Sequence, residues 1–122
     1  MTLRSGIDTI EISRLQDIAP NIRTRFIQRV FTEREIAQTR DRNEALSGLF
    51  AAKEAVSKAL GTGIGYVSWQ EIEILHLPSG QPTLNLSGNA KIVADQLGLS
   101  EWTISISHDR NKAIAIAVAI GG

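Results

Sequence analysis

The sequence predicts an α+β domain: a small, mostly antiparallel sheet packed against one long helix and several shorter helices. Residues 43–60 are almost all strong helix formers without proline, and they end at Gly61, where a left-handed C-cap is expected. The tail reads as strand, turn and strand, the last of strict alternation. No repeat, linker or low-complexity segment interrupts the 122 residues, so a single domain over 1–122 is expected.

Residues 3–12 alternate loosely around Gly6 and Asp8 and read as a first strand. Ser13 can cap a short helix that Pro20-Asn21 breaks, and Thr32-Glu33-Arg34-Glu35 opens another with Glu35 at the capping-box position. In the long helix, at about 100° per residue, Leu46, Leu49, Phe50, Val56 and Leu60 share one broad apolar face. Residues 71–77 and 83–86 read as strands joined by the turn Pro78-Ser79-Gly80-Gln81-Pro82, and residues 87–97 as a helix stopped by Gly98. Residues 102–108 are a strand, 109–112 a turn and 113–120 the final strand. There Ile114, Ile116, Val118 and Ile120 share one face and Ala113, Ala115, Ala117 and Ala119 the other. Both faces are apolar, so both should be covered, the alanine face closely, by a helix or by another subunit.

Charges balance to a formal net of zero, which removes any long-range pull toward nucleic acid or an anionic membrane. The arginines are nevertheless uneven: Arg4, Arg14, Arg23, Arg25, Arg29, Arg34, Arg40 and Arg42 fall in the first third, and only Arg110 lies beyond. That third is the expected docking surface for an acidic partner. Without cysteine there is no disulfide, thiol nucleophile or zinc-thiolate site. The first residues lack the apolar stretch of a signal peptide and no run is long enough to span a bilayer, so a soluble, cytoplasmic protein is expected.

Chemistry concentrates in the long helix. Glu54 and Lys58 sit one turn apart at the edge of its apolar face, while Lys53 projects near the middle, an odd place for an ammonium unless it reaches a polar pocket or an anion. The plain reading is a surface i,i+4 pair and a snorkelling lysine. Asp8, alone, reads as a strand-end residue accepting backbone hydrogen bonds; paired with Glu54 it would offer two hard oxygen ligands to Mg²⁺. Gly61-Thr62-Gly63-Ile64-Gly65 could bring backbone N–H groups to a phosphate, although it is not a Walker A pattern. His108 ends a strand, commonly a structural position. No nucleophilic-serine elbow, HExxH motif or dinucleotide fingerprint is present.

Together these segments resemble the holo-acyl-carrier-protein synthase family of 4′-phosphopantetheinyl transferases, in its small trimeric branch. The matching pieces are Gly6-Ile7-Asp8 with Glu11, Arg25-Phe26, Phe31-Thr32 with Glu35, and Phe50-Ala51-Ala52-Lys53-Glu54-Ala55 with Lys58. Gly61-Thr62-Gly63, Glu71-Ile72-Glu73-Ile74, Gly80-Gln81-Pro82 and Ser105-Ile106-Ser107-His108 follow in the family's order along essentially the whole chain. The resemblance implies a homotrimer with coenzyme A bound between subunits and Mg²⁺, held by Asp8 and Glu54, on the pyrophosphate. Asp8, Glu54 and Lys58 would be the catalytic residues. Lys58 would offset phosphate charge while an acyl carrier protein's serine attacks the β-phosphate and adenosine 3′,5′-bisphosphate leaves; Glu54 or a metal-bound water would take the proton. Lys53, Lys58, Gly61, Thr62, Gly63, Pro82 and His108 would line the coenzyme A cleft, and Arg14, Arg25 and Arg29 would meet the acidic carrier protein, for fatty acid biosynthesis. A trimer interface over residues 113–119 is expected, because an apolar sheet face would otherwise meet water.

Two positions depart from the pattern. Leu49 stands where many relatives have arginine, so a phosphate contact made there must come from elsewhere. Ile10 stands where larger monomeric transferases carry a further acid, so two protein carboxylates rather than three are expected at the metal. A non-catalytic adaptor for acidic proteins would explain the arginines but not the cluster of Lys53, Glu54 and Lys58. An oligomeric structural subunit would explain only the alanine-faced strand.

Overall fold

The computed structural model describes residues 1–122. The chain opens with β1 (Thr2–Glu11), followed by α1 (Ser13–Gln16), α2 (Pro20–Val30), α3 (Glu33–Thr39) and α4 (Asn43–Leu60). After a 3-10 turn at Trp69–Glu71 come β2 (Ile72–His76), β3 (Pro82–Leu86), α5 (Gly88–Gln96), β4 (Glu101–His108) and β5 (Lys112–Gly121). The order β1-β5-β4 makes one antiparallel sheet and β2-β3 a second, where the sequence suggested a single sheet.

Strand β3 lies toward β4 without joining its ladder, and on the far side the outer edge of β2 is satisfied by side chains of α3. Ile74 N–H donates to Glu35 Oε2 at 2.8 Å, and Gln38 brackets His76, accepting from its N–H at 2.8 Å and donating to its carbonyl at 3.1 Å. An edge closed in this way offers no ladder to another strand. Pro20, expected to break a helix, instead starts α2 at its first turn, where a missing N–H costs nothing. Ser13 is the first residue of α1 rather than its cap.

Helix α4 is buried on nearly every side, with β1, β5 and β4 across one flank and α3 and β2 on the other. Small residues meet small residues: Ala51, Ala52, Ala55 and Ala59 of the helix and Ala113, Ala115, Ala117 and Ala119 of β5 all lie in the core. The alanine face of β5 is therefore not the intersubunit surface the sequence suggested; it is closed by the protein's own helix. The isoleucine face looks outward, with Ile114 and Ile116 each 40 % exposed beside Ile7 at 54 % and Leu3 at 69 %. No helix is long and apolar enough to cross a membrane.

Candidate active site

Strand β1 lies so close on α4 that a β-carbon on Gly6 would run into the carbonyl oxygen of Ala55 and press the backbone of Ala59. Only glycine permits that approach. Two residues on, where a strand returns to the same face, Asp8 meets the helix. Its Oδ1 accepts from Lys58 Nζ at 3.1 Å, and the same ammonium donates to Ile7 O at 3.0 Å. Glu54, one turn earlier on α4, is half-buried. Burial pushes its carboxyl above the usual range, the negative charge of Asp8 adds to the rise, and Lys58 and Arg14 partly oppose it. The Glu54 carboxylate accepts no hydrogen bond from the protein; the one side-chain bond made to this residue, from Ser57 Oγ, goes to its backbone oxygen. Two carboxylates that repel each other in a half-buried seam, one of them without a donor, fit a hard divalent cation.

Lys53 belongs elsewhere. Its side chain is 0 % exposed, and Nζ meets Glu35 Oε1 at 2.8 Å, Ile72 O at 2.6 Å and Trp69 O at 3.0 Å. An ammonium has three hydrogens and here finds an acceptor for each. Burial lowers the pKa of Lys53 and the Glu35 carboxylate opposes that. Glu35 is as completely satisfied, since Oε1 also accepts from Thr32 N–H at 2.9 Å and Oε2 from Ile74 N–H. Lys53 is thus a buried tie between α4, α3 and the start of β2, and its placement in the coenzyme A cleft is corrected. Nothing local in the sequence pairs it with Glu35; the Thr32–Glu35 capping box, present as expected, accounts for Glu35 without a partner.

The glycine loop begins with the cap the sequence predicts. Gly61 adopts the left-handed C-cap, φ +80°, but Gly61 N–H donates to Lys58 O at 3.0 Å and the N–H groups of Thr62 and Gly63 both donate to Ser57 O at 3.3 Å. These amides are turned inward to close the end of α4 rather than outward to a phosphate. Pro82 opens β3 opposite His76, away from the carboxylates in the strand order. His108 ends β4 and lines a depression with Ile12, Gln16, Glu44, Asp109 and Arg110, without Asp8, Glu54 or Lys58. Arg14, Arg25 and Arg29 are exposed and without ion-pair partners. Arg14 borders an apolar groove of about 290 Å³ between α1, α2 and α4, whereas Arg29 lines a separate depression with Ile64, Trp69 and Gln70.

The sequence matches the family model of the 4′-phosphopantetheinyl transferase superfamily over residues 4–119. It is 42 % identical over 121 residues to the holo-acyl-carrier-protein synthase of Natranaerobius thermophilus, covering 97 % of each chain. The fold matches the crystal structure of the Helicobacter pylori synthase in complex with coenzyme A, with a TM-score of 0.86 and 35 % identity over 95 % of this chain and 99 % of that one. The Bacillus anthracis synthase in complex with coenzyme A (3′,5′-ADP) matches with a TM-score of 0.78 and 34 % identity, over 98 % and 96 % of the two chains. With Asp8, Glu54 and Lys58 gathered on one seam and this likeness running from end to end, the chain belongs to the 4′-phosphopantetheinyl transferase superfamily, among the holo-acyl-carrier-protein synthases.

Proposed function

We propose that the protein transfers the 4′-phosphopantetheine arm of coenzyme A to a serine of an apo acyl carrier protein, releasing adenosine 3′,5′-bisphosphate, in the cytoplasm and for fatty acid synthesis. The observation that carries this reading is the seam where Asp8, Glu54 and Lys58 converge. Asp8 and Glu54 would hold Mg²⁺, which supplies charge neutralisation to the diphosphate when bound. Two hydrogens of Lys58 are held by Ile7 O and Asp8, leaving one for a phosphate oxygen. Its ammonium then offsets charge as the bridging oxygen between the phosphates departs. Glu54, or a water held by the metal, would take the serine proton.

His108 and Pro82 lie apart from the seam within one chain, which fits a coenzyme A cleft shared between subunits of a homotrimer. The outward isoleucine face of β5 supplies the apolar surface for that assembly. Carrier docking is assigned to Arg14 beside the apolar groove and to the exposed Arg25 of α2, with Arg29 as an outlying contact. Incubation of the protein with an apo carrier protein, coenzyme A and Mg²⁺ tests the reading by mass spectrometry. The carrier gains the mass of one arm, and an unchanged carrier refutes the assignment.

A further inference from the structure

On β1, Arg4 shares with Gly6 and Asp8 the face that meets α4. Its Nε donates to Ala59 O at 2.8 Å, in the last turn of the helix. A β-carbon on Gly61 would lie 2.5 Å from Arg4 Nη2, so the guanidinium rests directly against the loop that begins there. No carboxylate lies within ion-pair distance of Arg4, and its terminal N–H groups have no protein acceptor.

This end of α4 is hostile to an anion. It is the negative pole of the helix, and the amides of Gly61, Thr62 and Gly63 are turned back into the last turn. Apart from a metal held by Asp8 and Glu54, an anionic group at this end of α4 can therefore be met only by side-chain cations. Lys58 is one, and Arg4, anchored through Nε with its fork unspent, is the other. We infer that Arg4 is a second cationic contact for the diphosphate of coenzyme A, fixed in place by the C-terminal turn of α4. The inference rests on the transferase reading above.

The alternative is a helix cap and nothing more, and two substitutions separate these roles. In Arg4→Gln the side-chain amide nitrogen occupies the position of Arg4 Nε, so the bond to Ala59 O survives while the charge is lost. In Arg4→Lys the charge survives and that donor is lost. Calorimetric titration with coenzyme A in Mg²⁺, with melts in parallel, should show Arg4→Gln weakened about tenfold, the scale of one charge-assisted contact, at an unchanged melting temperature. Arg4→Lys should bind closer to the parent. Parent-like affinity in Arg4→Gln overturns the inference, as does Arg4→Lys binding more weakly than Arg4→Gln. If the parent itself fails to bind coenzyme A, the transferase reading falls instead.

Discussion

Lys53 and Lys58 share one helix and chemistry but have opposite surroundings. Lys53 is sealed in the core by three acceptors, whereas Lys58 is 51 % exposed with a hydrogen to spare. The carboxylates divide in the same way: Glu35 is saturated with donors and Glu54 has none for its carboxylate. Because burial and Asp8 raise the Glu54 pKa, the apo fold binds that proton more tightly than the unfolded chain does. Its ionisation therefore destabilises the apo protein as pH rises from the unfolded pKa through the raised folded value. Mg²⁺ binding needs the ionised form, so affinity for Mg²⁺ should rise across the same window. Glu54→Gln should melt at or above the apo parent at neutral pH, and the two should converge in acid, as melts against pH would show. Its turnover should fall by at least ~10²-fold if Glu54 handles the proton, and Asp8→Asn should require more Mg²⁺. Near-parent turnover in either variant at matched Mg²⁺ would mean the site is misassigned.

Among elements, the contact of β1 with α4 carries the site. The obstacle to a larger residue at Gly6 is backbone, the Ala55 carbonyl, which cannot rotate aside. Gly6→Ala should lift the strand at a cost of about 1–3 kcal/mol, the usual range for overpacking. Asp8 would then withdraw from Lys58, so a lower melting temperature should accompany a higher Mg²⁺ requirement for turnover. An unchanged melt and unchanged turnover would show that the seam tolerates the added methyl. The second support of α4 is the Glu35–Lys53 tie, joined at its rim by Glu73. Burial raises the Glu73 pKa, but hydrogen bonds from Thr32, Arg34 and Asn85 and the Arg34 charge outweigh it and hold the carboxyl below its usual range. That contribution is present above the unfolded pKa and is lost as pH falls through the lower folded value.

Over the whole molecule, the unsatisfied surface is the outer face of the three-stranded sheet, where Ile116 of β5 pairs across to Ile7 of β1. Ile116→Glu should prevent assembly and leave the monomer folded, with loss of coenzyme A binding at the shared cleft proposed above. Sedimentation with circular dichroism reads both. A parent already monomeric at micromolar concentration would reject the trimer. Charge placed at Ala115 answers a different question, since that side chain lies beneath α4 and a buried, unpaired carboxylate disrupts the fold itself.

Local rules were sufficient for much of this protein. The proline-free run into Gly61 marked α4, the Thr32–Glu35 spacing marked the start of α3, and period-two alternation marked the last strand. Motif order along the chain carried the family and the candidate residues Asp8, Glu54 and Lys58. Periodicity could not say which apolar face of β5 turns inward, because alternation defines two faces and only the helix packed on one of them chooses. Nor could it separate Lys53 from Lys58, whose difference comes from Glu35 and two carbonyls brought in by other elements. The role of Gly61, Thr62 and Gly63 turned on the same kind of fact, since an amide's availability depends on the acceptor the folded chain presents to it.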